Sequence, residues 1–163
     1  MKITTVCHGN IARSQVLHHY LAEYANRASL PLDLFSCGTA TRETYPDADR
    51  LLAEVRTELE RRGLNPQVHR NVIDEDARQQ LIDSDVILAA DGNRRRELIA
   101  LLGDQVATAK IQLFYEYIGE GSHDFVDTYD AKKGAQDPVR FAKCFDELER
   151  IARLIVEHIL NPK

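Results

Sequence analysis

Apolar residues fall into two kinds of segment along the chain, short continuous runs and longer stretches with helical spacing. Four runs have the length and β-branched character of strands: 2–6, 32–38, 85–90 and 110–117. Five segments carry helical spacing, N-cap residues or terminating glycines: 14–28, 47–62, 74–83, 91–102 and 138–160. The polar stretch 118–136 is predicted to be a long loop, and such loops in compact domains are often functional.

Because predicted strands alternate with helices, the chain is expected to form a doubly wound α/β domain. We expect a mostly four-stranded parallel sheet flanked by helices, in a single domain over residues 1–163. In such sheets, ligands bind outside the carboxyl ends of the strands. Cys7 ends the first predicted strand, so the topology puts it at the expected site.

The segment from Cys7 to Ser14 joins that strand to the first helix. A loop wrapped at a helix N-terminus points several backbone N–H groups into one space, which suits a phosphate dianion. Gly9 and Asn10 tolerate positive φ, and Arg13 supplies a charged fork for two phosphate oxygens. The predicted phosphate-binding residues are His8, Gly9, Asn10, Ile11, Ala12, Arg13 and Ser14.

Cys7 has the position of a nucleophile within this predicted loop. Helix-terminus amides and Arg13 favour its thiolate, which can attack phosphorus to give a phosphocysteine intermediate. Ser14 can donate a hydrogen bond to the sulfur. The strand–loop–helix context therefore predicts phosphoryl transfer through sulfur.

Protonation of the leaving oxygen requires a nearby acid. The candidates are Asp124, Asp127, Asp130 and Asp137, and the sequence leaves them open. Pro138 and the long helix after it favour Asp137, first as general acid and then as the base for water.

The motif C-x-G-N-x-x-R-S resembles the phosphate loop of low-molecular-weight protein tyrosine phosphatases. Further segments with a similar resemblance are Ser36-Cys37-Gly38-Thr39, His69, residues 85–91 and Asp137-Pro138. The resemblance implies a protein-tyrosine-phosphatase with Cys7 as nucleophile, Arg13 as phosphate clamp and Asp137 as general acid. Its substrate would be a phosphotyrosine-containing protein or a small aryl phosphate.

The resemblance also implies supporting roles for residues around the loop. Those that hold the loop would be Asn10, Ser14, Ser36 and His69. Those at the rim of the substrate pocket would be His8, Ile11, Tyr45 and Val139. No metal or other cofactor is expected.

Several positions depart from the family pattern. Ala12 replaces a second cysteine that can trap the oxidised nucleophile, and Cys37 is a candidate substitute. Gln15 replaces a proline. Val139 and Arg140 stand where two aromatic residues usually follow the Asp-Pro pair, so the pocket is expected to be less aromatic.

Composition narrows the remaining possibilities. The 163 residues carry a net charge of −5, which does not suggest a nucleic-acid partner, and contain no apolar run of membrane-spanning length. The three cysteines are far apart and follow no zinc spacing. With no recognisable signal peptide, a cytoplasmic location is expected.

Three alternative functions use the same scaffold. A phosphate-binding regulatory module of weak activity fits the departures from the pattern. An arsenate reductase is disfavoured because residues 80–100 contain no redox cysteine. A phosphoarginine phosphatase is disfavoured by Ile11, where related enzymes tend to carry a small polar residue.

Overall fold

The structure, a computed structural model, describes residues 1–40, 43, 51–67, 70–130 and 135–162. Five parallel strands form one sheet: β1 (Lys2–Cys7), β2 (Asp33–Ala40), β3 (Arg70–Val72), β4 (Val86–Ala89) and β5 (Ile111–Leu113). The helices are α1 (Arg13–Arg27), α2 (Ala53–Arg61), α3 (Glu75–Ile82), α4 (Gly92–Leu102), α5 (Phe114–Tyr117) and α6 (Pro138–Leu160). A small antiparallel ribbon pairs β6 (Tyr129–Asp130) with β7 (Ala135–Gln136).

The sheet has the strand order β3-β2-β1-β4-β5, with β1 at its centre. Ile3 aligns with Leu34 of β2 on one side and with Val86 of β4 on the other. All pairings are parallel, so the carboxyl ends of the strands meet at one edge. Cys7 ends the central strand and therefore lies in the middle of that edge.

Helices cover both faces of the sheet, as the doubly wound prediction requires. One apolar layer joins β1 to α1, α2 and α6 through Leu17, Leu59 and Phe145. The other layer places Leu81 of α3 and Leu98 of α4 against the opposite face. Burial of a parallel strand on both sides explains why the run VILA of β4 is continuously apolar.

The α/β class is confirmed, but several boundaries differ from the prediction. The sheet has five strands, whereas four were predicted. The prediction missed the short edge strand β3, because its three residues form no apolar pattern long enough to indicate a strand. The predicted strand at 110–117 ends at Leu113, where α5 begins. The Glu116 carboxylate turns back to accept a hydrogen bond from the Leu113 amide at 3.1 Å, and this contact favours the helical turn.

Two other predicted segments also have different limits. The helix predicted at 47–62 begins at Ala53, and residues 47–50 lie outside the described part of the chain. The predicted loop at 118–136 contains the β6–β7 ribbon. No helix within the described ranges combines the length and hydropathy needed to cross a membrane.

The packing of α6 against α1 and the sheet generates a stability prediction. Leu148 is fully buried, whereas Leu160 at the end of the same helix is 48% exposed. Leu148→Ala is expected to lower the free energy of unfolding by about 2–5 kcal/mol, because it leaves a cavity in the core. Leu160→Ala should change it by less than about 0.5 kcal/mol. Urea denaturation followed by circular dichroism measures both; equal effects would contradict the packing described.

Candidate active site

The loop between β1 and α1 is held by polar side chains from the neighbouring strands. The Asn10 amide donates to Ser36 Oγ at 3.1 Å and to the Arg70 carbonyl at 2.9 Å. The Asn71 amide donates to the Gly9 carbonyl at 2.8 Å. Asn10 itself has a φ of 49°, in the left-handed region that Asn tolerates better than most residues. The loop conformation is thus fixed from β2 and β3.

Gly38 allows this close approach between β2 and the loop. A Cβ at this position would lie 2.3 Å from the Asn71 carbonyl oxygen and 2.6 Å from the His8 carbonyl oxygen. The neighbouring backbone bond from the Ala40 amide to the His8 carbonyl measures 2.8 Å. Only glycine leaves room for the loop to pack this tightly on the strand.

Cys7 is buried beneath the loop and contacts Ser14. The Ser14 hydroxyl donates to Cys7 Sγ at 2.9 Å and also lies 2.6 Å from Asn10 Oδ1. A hydroxyl has one proton, so it can serve only one of these acceptors fully at a time. The arrangement can shift this proton toward the sulfur whenever the sulfur carries charge.

Arg13 lies between two carboxylates. Its Nη1 donates to Asp91 Oδ2 at 2.9 Å and to the Phe125 carbonyl at 3.3 Å, while Nη2 donates to Asp127 Oδ2 at 2.8 Å. The Arg13 side chain is only 5% exposed. Burial alone would lower the pKa of Arg13, but the negative charges of Cys7, Asp127 and Asp91 outweigh burial and raise it. The guanidinium therefore stays charged beneath the loop.

Asp91 joins this site to the start of α4. Its Oδ1 accepts from the Arg94 amide at 3.0 Å as the helix N-cap, while its other oxygen binds Arg13. Burial favours a raised pKa for Asp91, but the Arg94 amide and the Arg13 charge outweigh it and lower the pKa. No local pattern indicates the contact with Arg13, because that contact requires β1 and β4 to be neighbours.

Asp137 occupies the N-cap position of α6. Its Oδ1 accepts from the amides of Val139 and Arg140, each at 3.0 Å, and its own amide donates to the Thr128 carbonyl at 2.8 Å. Besides Asp91, the carboxylate that contacts Arg13 is that of Asp127, whose side chain is 54% exposed. Asp127 was among the four candidates for the acid and lies in the predicted loop at 118–136.

The other predicted site residues have the following positions. His8 is exposed, and partial burial of its ring together with the Arg94 and Arg13 charges lowers its pKa, although the Glu97 and Asp127 charges oppose this. Ile11 is half-buried, and its carbonyl accepts from the Leu52 amide at 3.4 Å. Tyr45 and His69 lie outside the described residues.

The remaining cysteines are buried, and Cys37 lies on the other face of the sheet. Val6 aligns with Cys37 and Cys7 with Gly38, so Cys7 and Cys37 point to opposite faces. Burial raises the pKa of Cys37, and it raises that of Cys144 to about 12. A disulfide between Cys7 and Cys37 would require β1 and β2 to rearrange.

This geometry agrees with a comparison of the chain with known families. The family described as "Low molecular weight phosphotyrosine protein phosphatase" matches residues 2–162. The chain belongs to this family. Cysteine-based phosphatase chemistry follows from that membership. A search of curated proteins finds no match.

Solved structures of similar fold include other low-molecular-weight phosphatases. A Bacillus subtilis YwlE mutant has 19% identity and a TM-score of 0.81, with 99% of each chain covered. A Vibrio cholerae low-molecular-weight phosphotyrosine phosphatase has 20% identity and a TM-score of 0.81, with 99% of this chain and 97% of that one covered. An Entamoeba histolytica protein tyrosine phosphatase has 21% identity and a TM-score of 0.77, with 100% of this chain and 97% of that one covered. At these levels of identity, the similarity shows a shared fold.

The tight contact at Gly38 predicts how the phosphatase loop responds to a single methyl group. Gly38→Ala is expected to lower the free energy of unfolding by roughly 1–3 kcal/mol, because backbone atoms must move. It should also weaken inhibition by inorganic phosphate by about tenfold or more, since small displacements of positioned groups are costly. Gly92→Ala is the matched control, because its Cβ would meet nothing closer than 3.5 Å. Equal behaviour of the two variants would contradict a fixed loop.

Proposed function

We propose that the protein hydrolyses aryl phosphate monoesters, phosphotyrosine foremost, through a phosphocysteine intermediate on Cys7. The observation that carries the proposal is Arg13, which is buried between Asp91 and Asp127 beside the Ser14–Cys7 contact. A permanent cation, a sulfur nucleophile and a mobile acid are the three groups that this reaction requires.

In the first step the substrate phosphate occupies the loop formed by residues 8–14. Its oxygens accept hydrogen bonds from the loop amides and from the Arg13 guanidinium. In the structure, Nη2 of that guanidinium binds Asp127, which the phosphate would displace. The Cys7 thiolate attacks phosphorus, the S–P bond forms and the P–O bond breaks. Asp127, which takes up a proton from solvent when the phosphate displaces it from Arg13, passes that proton to the leaving oxygen, which departs as a phenol.

In the second step water attacks the phosphorus of the phosphocysteine. Asp127, now a carboxylate, removes the proton from that water as the S–P bond breaks. The leaving sulfur becomes a thiolate, and the Ser14 hydroxyl at 2.9 Å donates to it. Inorganic phosphate is released, and the charge on phosphorus is balanced throughout by Arg13 and the loop amides.

Asp127 rather than Asp137 is proposed as the acid because of their contacts. The Asp137 carboxylate accepts hydrogen bonds from two backbone amides at the start of α6, which is a structural role. Asp127 is half-exposed and contacts the phosphate-binding arginine. Placing the acid at Asp127 also puts Tyr129 two residues after it, where the family resemblance expects an aromatic residue.

A second candidate substrate is phosphoarginine. One solved structure of similar fold, at 18% identity, is described as the "YwlE arginine phosphatase" with a phosphorylated active-site serine. The present chain carries Ile11 in its loop, an apolar side chain that suits an aryl ring better than a guanidinium group. We therefore propose aryl phosphates as the preferred class.

Replacement of the nucleophile tests the proposal directly. Wild-type protein should hydrolyse p-nitrophenyl phosphate and a phosphotyrosine peptide without added metal, and more efficiently than phosphoarginine. Cys7→Ser should abolish turnover, because a serine hydroxyl at this position is a far weaker nucleophile than a thiolate. Hydrolysis of all three substrates is measured as the release of inorganic phosphate. Absence of turnover by folded, reduced wild-type protein would favour the phosphate-binding module.

Two aspartate variants test the assignment of the acid. Asp127→Asn is expected to lower kcat on phenyl phosphate by about 10²–10⁴-fold, the usual contribution of general acid–base catalysis. The loss should be smaller with p-nitrophenyl phosphate, whose leaving group needs less protonation. Asp137→Asn should change kcat only a few-fold, because Asn also caps helices. A larger loss of kcat in Asp137→Asn than in Asp127→Asn would instead support Asp137 as the acid.

A further inference from the structure

A groove lies between the segment that carries Asp127 and the first turns of α6. Its volume is about 250 Å³, and its lining includes Tyr115, Phe125, Val126, Arg140, Lys143 and Cys144. Phe125 and Cys144 are buried and form an apolar floor, while Val126 at the rim is 64% exposed. Pockets for whole ligands usually measure roughly 300–1,000 Å³, so this groove suits one or two side chains.

Two cations, Arg140 and Lys143, lie at the edge of the groove. Among the residues that the structure describes, neither Arg140 nor Lys143 forms a side-chain hydrogen bond or ion pair. Farther along the same helix, Arg150 pairs with Glu120 and Arg153 with Glu157. Arg140 lies in the first turn of α6, where a cation opposes the helix dipole and an anion is favoured.

The groove has a net positive character in spite of its one acidic residue. Glu147 lies at its edge, but its carboxylate is bound by Arg150 at 2.6 Å. Arg140 and Lys143 are therefore left as the uncompensated charges, on a chain whose overall charge is −5. This local charge is complementary to an acidic partner.

The groove adjoins the phosphate-binding loop through a single residue. The Phe125 carbonyl accepts from Arg13 at 3.3 Å, while Phe125 also lines the groove. Val126 and Asp127 continue the same segment. An extended peptide advances about 3.3 Å per residue, so residues close to a phosphorylated residue in the loop lie near this segment.

We propose that this groove docks the polypeptide that flanks the phosphorylated residue, with an apolar side chain on Phe125 and Cys144 and a neighbouring Asp or Glu between Arg140 and Lys143. The inference rests on the proposed phosphatase function and names the kind of protein substrate. Peptides with acidic and apolar flanks should be preferred over peptides with basic flanks. Small aryl phosphates have no flank and do not use the groove.

The test compares two phosphotyrosine peptides of equal length, one with Leu and Glu in its flanks and one with Lys in place of Glu. The variant is Arg140→Gln combined with Lys143→Gln. For the acidic peptide, kcat/KM should fall about three- to tenfold, mainly through KM, which fits the modest energies of exposed ion pairs. For the basic peptide and p-nitrophenyl phosphate, it should change less than twofold. Added salt should weaken the wild-type preference.

The matched control is Arg27→Gln combined with Arg153→Gln. It also removes two positive charges, but these belong to exposed ion pairs outside the lining of the groove. This control should retain the wild-type peptide preference. An equal loss in the control, an equal loss on p-nitrophenyl phosphate, or no loss on the acidic peptide would each overturn the docking proposal.

A binding experiment separates this proposal from the proposed reaction. Both peptides are made with a non-hydrolysable phosphonate in place of the phosphate, and their affinities are measured by calorimetry. Tighter binding of the acidic phosphonate peptide, lost in the Arg140/Lys143 variant, supports docking even if the wild type hydrolyses no ester. Hydrolysis without any flank preference in rate or affinity supports the phosphatase function and overturns docking.

Discussion

The buried charge of Arg13 is the constraint on which the site depends. A guanidinium that is 5% exposed is stable only with well-placed anionic partners, since burying an unpaired charge is very costly. Asp91 at the start of α4 and Asp127 in the segment before α6 are these partners. One side chain therefore ties together the end of β1, the end of β4 and the segment that supplies the proposed acid.

The same contact accounts for the chemistry that we propose. Asp91 is buried and caps a helix, so it can remain with Arg13 throughout the reaction. Asp127 is more exposed and belongs to an irregular segment, so a bound phosphate can replace it on the guanidinium. The released side chain then lies beside the phosphate, where its protonated form can protonate the leaving group and its carboxylate can take a proton from water.

A second set of buried polar contacts gives the loop its shape. The Asn10 amide donates to Ser36 Oγ, and the Asn71 amide donates to the Gly9 carbonyl. Buried polar groups that are fully paired rigidify a structure, whereas partly paired ones are costly. The loop is thus held by strands β2 and β3, while the proposed acid lies in the less regular segment before α6 and the groove lies between that segment and α6. In our proposals, phosphate binding uses the rigid frame and recognition of the flanking chain uses its border.

The sequence by itself determined the α/β class, and it predicted a phosphate loop that contains Cys7, Arg13 and Ser14. These depend on local patterns: apolar runs, helical spacing, and a strand–loop–helix motif whose residues are contiguous. The limits of α6 were likewise predictable, because Asp137, Pro138 and the apolar stripe are local signals. The same local signals led to Asp137 as the predicted acid, and in the structure its carboxylate caps α6.

Only the tertiary structure decided which distant residues meet Arg13 and the loop. Asp91 and Asp127 lie 78 and 114 residues from Arg13 in the chain, and Asn71 lies 62 residues from Gly9. No local pattern distinguishes Asp127 from Asp124 or Asp130. The pairing of β1 with β4 and the return of the chain past Ala90, where the Phe125 amide donates to the Ala90 carbonyl, bring Asp127 to the site. Strand order and register are properties of the whole sheet, which is why the sequence pattern could not reveal them.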